Sequence, residues 1–424
     1  FDENVEISQY PDIPNNEFTR DEILSMLAKE MLDAAELLPA SQSEVGRIHK
    51  YIALAYAAKI KLYQAYQQDE TTHAVTSINK ELLREVVSLC DQVTASNRYG
   101  LLDDFQGLDL VANENGKESV FAIQYSMNDG TESAGRINWS NLLNSPGGGS
   151  PYGGDGFFLP SQDLINAYQT DANGLPDFNY QSKSDYSWAV LNNGVYTLQN
   201  TTPNVDPRLD FVVGRPTITW KTYPDKPCEG WVRDKETYGY NCAKRFWVSP
   251  ESSDMFNGWP WGASQLNWQI IRYADILLWK AEALIELNEG DGLETARDLI
   301  NQIRNRARNS AYVKDFNDHS KYAANYLVNP YPADVWNQDY ARQALRWETR
   351  LEKALEGERF FDLVRWGIVE TTMNKYITAE SDNRIYYANA HFTGGKDEYY
   401  PVPNNQYGFS GGKYVQNPGY APFN

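Results

Sequence analysis

The sequence predicts a mostly α protein, a tetratricopeptide-like helical-repeat scaffold that carries an irregular, loop-rich subdomain. Two observations predict it. Arg272 to Ala307 reads as two alanine-rich helices joined at Gly290-Asp291-Gly292, apolar at the i, i+3, i+4, i+7 spacing of buried faces, and the same texture recurs near the N-terminus. Between about Leu101 and Gln265 that period disappears, and Gly, Pro, Asn and Asp punctuate short segments. The divisions expected are 1–100 (N-terminal helical repeats), 101–265 (loop-rich subdomain), 266–370 (C-terminal helical repeats) and 371–424 (a docked tail), all in one structural unit.

Taken in order, Thr19-Arg20-Asp21-Glu22 is a capping box, and the helix behind it stops at Pro39. A second helix begins near Gly46 and is rich in alanine at 53, 55, 57 and 58; its outer partner is ELLREVVSLCDQV, where Cys90 reads as a core thiol. In the middle, SVFAIQYS, RLDFVVG and ITWKTY read as strands or extended loops, and only PSQDLINAY reads as a helix, capped by Ser161. Seven tryptophans (139, 188, 220, 231, 247, 259 and 261) lie there, and so little regular structure offers few core positions to hide them; some are expected on the surface.

The helix from Tyr273 is apolar on two faces and must be covered from both sides. Its partner turns Arg297, Asp298, Asn301, Arg304 and Arg308 away from the pair. Trp268, Trp279, Trp347 and Trp366 lie on helices and read as core. RQALRWETRLEKALEGERFFDLVRWG reads as one last long helix, followed by an aromatic tail that is ordered only by docking on the body.

The net charge is −19, with a pI near 4.7, so there is no basic surface to neutralise phosphates and no nucleic-acid partner is expected. No stretch approaches the roughly 18 apolar residues of a transmembrane helix. The chain opens in polar sequence with no signal peptide, as in a cytosolic or already processed protein. Cys228 and Cys242 are spaced to form a disulfide in an oxidising compartment. Four histidines and no C-x-x-C speak against zinc. No cofactor is expected, while a structural calcium held by carboxylates and carbonyls stays open.

The most enzyme-like cluster is Glu352, Glu356, Glu358, Arg359, Asp362 and Arg365. Two carboxylates on adjacent turns reach a glycosidase spacing, but the arginines beside them hold both ionised and remove the proton donor. No nucleophile elbow, P-loop or HExxH occurs, and GGGSPYGGDG at 147–156 lacks the Lys-Ser/Thr ending of a phosphate cradle, so it reads as a loop. No catalytic residue is assigned.

DAAELLP (33–39), PSQDLINAY (160–168), DPRL (206–209), RYADILLWKAEAL (272–284), LEKALEGERFFDLVRWG (351–367), YYPVPNNQ (399–406) and NPGY (417–420) together resemble the SusD/RagB family, surface glycan-binding lipoproteins that partner TonB-dependent outer-membrane transporters. The resemblance implies a SusD-like α-α superhelix that binds an oligosaccharide on the extracellular face of the outer membrane and passes it to a SusC-like transporter. It also implies a lipid anchor outside this numbering. Members carry further helices and loops before the DAAELLP helix, and part of the ligand site is expected from them.

A flat indole or phenol covers the apolar C–H face of a sugar ring while polar neighbours hydrogen-bond its hydroxyls. Trp188, Trp220, Tyr223, Trp231, Tyr238 and Tyr240 lie where the family tends to place ligand-facing loops, with Arg233, Asp234 and Asn241 as polar contacts. Trp188, Trp220 and Trp231 are the leading candidates. The competing readings are a surface glycoside hydrolase, an intracellular peptide scaffold, and a carrier of peptides or other nutrients.

Overall fold

The computed structural model describes residues 4–131, 135–139, 143–144, 149–187, 189–192, 195–198, 203–222, 230–259 and 262–423. Helix α1 (Arg20–Leu37) starts as its capping box requires: Thr19 Oγ1 accepts from the Glu22 amide, and the Thr19 amide donates to Glu22 Oε2 at 2.8 Å. Helix α2 (Lys50–Ala65) begins four residues later than the sequence suggests, because Gly46 (φ +82°) turns the chain and His49 stays extended as N-cap. A hairpin that the helical period did not reveal follows, pairing β1 (Tyr66–Gln68) with β2 (Val75–Ile78). Helix α3 (Lys80–Ala95) then buries Leu83, Val86, Leu89, Cys90 and Val93.

Alanine content explains how closely these helices pack. Ala53, Ala55, Ala57, Ala58 and Ala65 of α2 are all buried, so neighbouring backbones meet with little between them. The C-terminal repeats supply α6 (Tyr273–Leu287) and α7 (Gly292–Asn309), and α3 stacks directly on α6, joining the two halves in one hydrophobic core. Helix α6 is buried on nearly every side, as its two apolar faces demand.

The insert enters and leaves this layer through one antiparallel pair, β3 (Ser119–Ile123) with β6 (Trp268–Arg272), and the Tyr273 amide at the start of α6 donates to Glu118 O at 2.9 Å. PSQDLINAY forms α4 (Gln162–Ala167), and Ser161 caps it as expected. RLDFVVG departs from the extended reading. Arg208–Val212 is a short helix, α5, and only Val213–Gly214 (β4) is strand, paired with β5 (Cys242–Ala243). A salt-bridged Arg208 inside the protein fixes that turn, a tertiary cause that β-propensity does not register. ITWKTY is likewise irregular through Thr222, with isolated bridges at Ile218 and Trp220.

The last long helix is also corrected. It breaks into α8 (Gln338–Glu352), α9 (Arg359–Arg365) and, beyond it, α10 (Val369–Glu380), because Leu355 (φ +69°) and Gly357 (φ +88°) take left-handed conformations that end a helix. The tail docks on the N-terminal part: Asn15 Nδ2 donates to Val415 O at 2.8 Å, and the Val415 amide donates to Asn15 Oδ1 at 2.8 Å. Among the described residues no helix is long and apolar enough to cross a membrane.

Candidate functional site

The insert is built around an aromatic core of its own. Tyr152, Trp220, Trp231 and Trp247 lie within 0–1% exposure, with ring centroids of Trp220 and Trp231 5.0 Å apart and those of Tyr152 and Trp247 4.9 Å apart. Trp220 Nε1 donates to Tyr152 Oη at 2.8 Å, and Tyr152 Oη donates to Val248 O at 2.8 Å. Two glycines admit this packing. A Cβ at Gly214 would lie 2.6 Å from Trp220 Cε3, and one at Gly262 (φ +77°) would lie 2.9 Å from Tyr152 O. Trp220 and Trp231 are therefore not open ring platforms, contrary to the sequence expectation. An irregular segment can still bury large side chains by folding its loops over one another, and these indoles are what the loops fold around.

Exposed indoles do stand above that core. Trp139 (47%) follows Asn138, whose amide donates to Ser264 O at 2.8 Å. Trp259 (65%) stands on the loop closed by the Phe256 amide on Ala263 O at 2.8 Å, and Gly262 seats this loop on Tyr152 and Trp247. Both rings thus project from backbone pinned to Ser264 and its neighbours. Neither tryptophan stands out by residue type from the other indoles of the insert; the Gly258-Trp259-Pro260 turn sequence is the signal that marks Trp259 as a loop-tip residue.

The other expected site residues divide. Tyr238 is 44% exposed, and its ring centroid stands 6.1 Å from that of Tyr386 in the tail. Tyr240 is half-buried beside Lys235, and the next residue, Asn241, is buried and offers no open contact. Arg233 is exposed; its guanidinium donates to Gly154 O and lies 3.8 Å from Asp155, so it ties down the glycine-rich loop. Asp234 is exposed and caps the single helical turn Lys235–Tyr238 through the Thr237 amide at 3.1 Å. Trp188 and Tyr223 lie outside the described residues, as does Cys228 of the suggested disulfide.

The carboxylate cluster on α8 and α9 is bound into a buried ionic network. Arg272 meets Glu118 at 2.8 Å, Glu352 at 3.0 Å and Glu356 at 2.7 Å. Arg306 reaches Glu118 at 3.1 Å and also Glu352, while Arg208 joins Asp206, Glu348 and Glu352. Burial alone would raise the Glu352 pKa, but Arg306, Arg272 and Arg208 outweigh it and hold the group at about 2. Lys59 pairs with Glu358 at 2.9 Å, and Arg365 pairs with Asp362 at 2.8 Å. Each of these carboxylates is thus held by at least one cation. Arg304, expected to face away from its helix pair, is instead fully buried and reaches Glu348 at 3.0 Å, because the segment around Asn329 covers it. Among the described residues no group of three or more His, Cys, Asp or Glu is placed to hold a metal ion.

A separate cleft of about 740 Å³ opens between α9 and the tail, where Phe361, Tyr399 and Tyr400 are exposed at 56%, 40% and 91%. Its rings come from helix and tail, and none comes from the insert.

A search of curated proteins finds no match to this chain. Solved structures share its fold. A SusD superfamily protein from Bacteroides vulgatus ATCC 8482 superposes with a TM-score of 0.64 at 20% identity, over 95% of this chain and 69% of that one. A laminarin binding SusD-like protein gives 0.59 at 19% identity, over 94% and 69%. Surface glycan-binding protein A from Bacteroides thetaiotaomicron gives 0.57 at 16% identity, over 96% and 72%. The model of the SusD family matches residues 117–420, which run from the strand entering the insert, through the helices carrying the ionic network, to the docked tail; the chain belongs to the SusD family.

Proposed function

We propose that this chain captures an oligosaccharide at the extracellular face of the outer membrane and passes it, chemically unchanged, to a SusC-like TonB-dependent transporter. A lipid anchor outside the present numbering would hold it there. The observation that carries the reading is the pair of exposed indoles, Trp139 and Trp259, on loops braced by a buried aromatic core. Such rings meet sugar C–H faces with little side-chain entropy to lose. Family membership supports it, as do relatives named for laminarin and surface-glycan binding. Trp188, Tyr238 and Tyr240 are further candidate contacts for the same ligand. Trp220 and Trp231 lie in the aromatic core on which the Trp259 loop is seated.

The test is a calorimetric panel of oligosaccharides on the wild type and on Trp139→Ala, Trp259→Ala and Trp188→Ala. Weakened binding of the best ligand in at least one variant is expected. Equal binding in all four proteins moves the site elsewhere, with Tyr400→Ala in the tail cleft as the next variant, and no binding to any oligosaccharide removes the glycan reading. Incubation of the best ligand with wild type and Glu358→Gln should release no product from either. Turnover that the substitution abolishes would make this a hydrolase.

A further inference from the structure

A second cleft, of about 340 Å³, lies between α4, the end of α8, α9 and α10, and its charges do not balance. Three cations line it. Arg350 is paired with Asp163 at 2.5 Å and Lys353 with Asp275 at 2.5 Å. The lining carboxylate Asp362 is taken by Arg365 at 2.8 Å. Arg359 remains, half-buried, and among the described residues it has no ion pair or hydrogen bond; its Nη1 is sealed from solvent without an acceptor, and the Trp366 ring lies 5.9 Å away. A guanidinium carries five donors, so sealing one of them away from solvent without an acceptor is unfavourable until an anion joins it. Burial and the neighbouring Arg350 both work against that charge, and Asp362, Tyr180 and Asp163 only partly offset them.

The remaining walls decide what kind of anion fits. Leu164, Ala354, Phe360, Leu363, Met373 and the Tyr376 ring supply the larger, apolar share of the wall, and Ser161, Gln181, Thr349 and Thr372 a smaller polar share. A sugar acid would leave most of its hydroxyls facing hydrocarbon, whereas an aryl or branched aliphatic body would fill the space. We propose that this cleft binds a small carboxylic acid with an apolar body, its carboxylate meeting the otherwise unpaired Arg359 guanidinium and its body lying among Leu164, Phe360, Leu363 and Met373. The cleft takes α4 and Tyr180 from the insert but includes none of the residues proposed for the oligosaccharide surface.

The test compares 3-phenylpropanoate with 3-phenylpropanamide and with glucuronate, by calorimetry and thermal unfolding at about 0.15 M salt. The phenyl acid is expected to bind about tenfold to a hundredfold more tightly than its amide, the difference made by one charge-assisted contact, and to raise the melting temperature where the amide does not. Arg359→Met, which removes an unpaired charge from an apolar wall, should melt at or above the wild-type temperature and lose the preference for acid over amide. Equal responses to acid and amide in the wild type, or none to either, overturn the proposal without recourse to a variant. Glucuronate binding in place of the phenyl acid overturns the ligand class. Arg359→Met unfolding at a markedly lower temperature would show that Arg359 braces the fold instead of receiving a ligand.

Discussion

The guanidinium of Arg272 and the carboxylate of Glu352, 80 residues apart in the chain, meet at 3.0 Å with 1% and 0% of their side-chain surfaces in contact with solvent. The arginine ends the strand by which the insert returns to the helical layer, and the glutamate ends α8, so the pair fastens insert to scaffold at their junction. Glu118, at the insert's entry, binds the same arginine, which closes both crossings with one cation.

Removing that cation takes one partner from each of three carboxylates, Glu118, Glu352 and Glu356, and leaves Arg306, Arg208 and Arg245 to hold them in a dry site. Arg272→Met is therefore expected to lower unfolding stability by about 3–5 kcal/mol, the range for breaking a buried pair by deleting one partner. Arg84→Ala, which breaks the exposed pair with Glu289, should cost no more than about 1 kcal/mol. Urea titrations of the two variants measure both, and similar midpoint shifts would contradict the assignment of the network as the fastening.

The same network sets an acid limit. Glu352 falls from an ordinary 4.5 to about 2 in the folded protein, against its own burial, through Arg306, Arg272 and Arg208. A depressed carboxylate contributes stability that is complete above the unfolded pKa and is lost as pH falls from about 4.5 through about 2. Glu114 behaves oppositely: burial lifts it to about 7, so its contribution is complete below 4.5 and is lost as pH rises through about 7. Glu114→Gln keeps the acceptor used by the Asn267 amide and removes that charge. The variant should gain on wild type at pH 8 and not at pH 4, read from melting temperatures at the two values.

The buried and exposed indoles separate stability from binding. Trp220→Ala and Trp231→Ala are expected to cost about 3–5 kcal/mol in stability, as large-to-small changes in a packed core do. Trp139→Ala and Trp259→Ala should leave stability within about 0.5 kcal/mol and weaken oligosaccharide binding by about threefold to thirtyfold, from the loss of one stacked ring. Urea titrations and calorimetry on the four variants check both halves, and a Trp259→Ala protein as unstable as Trp220→Ala would place that ring in the core.

The frame was legible because its signal is local. Alanines 53, 55, 57 and 58 and the apolar stripes of α3, α6 and α7 announce a buried helix pair wherever they occur, and the Thr19 box marks a helix start within four residues. What the sequence hid was long-range. Nothing in RLDFVVG says that Asp206 and Glu348 will draw Arg208 inside, or that Arg304 and Arg306 of α7 will turn inward to Glu118, Glu348 and Glu352. The indoles failed for the same reason. Trp220 and Trp259 carry the same side chain in the same kind of loop, and only the fold of those loops onto Tyr152 separates the ring at 1% from the ring at 65%.

Gly214 gives the sharpest check on that aromatic core. It ends β4 beside Cys242 of β5, and a Cβ there would lie 2.6 Å from Trp220 Cε3 and 3.0 Å from Cys242 Sγ. Trp220 has little room to retreat, because its Nε1 is bonded to Tyr152 Oη and its ring lies edge to face against Trp231. The added methyl must displace either the indole or the β4–β5 pairing, at a cost of about 1–3 kcal/mol for an overpacked core. Gly214→Ala should therefore lower the urea midpoint and change the near-UV circular dichroism of the clustered rings, while the far-UV signal of the helices persists. Moving the indole also shifts Tyr152, on which the Trp259 loop rests through Gly262, so oligosaccharide affinity should fall in this variant although the substituted atom is buried away from any ligand. A variant with wild-type affinity and an altered ring spectrum would show that the exposed indoles do not depend on the core beneath them.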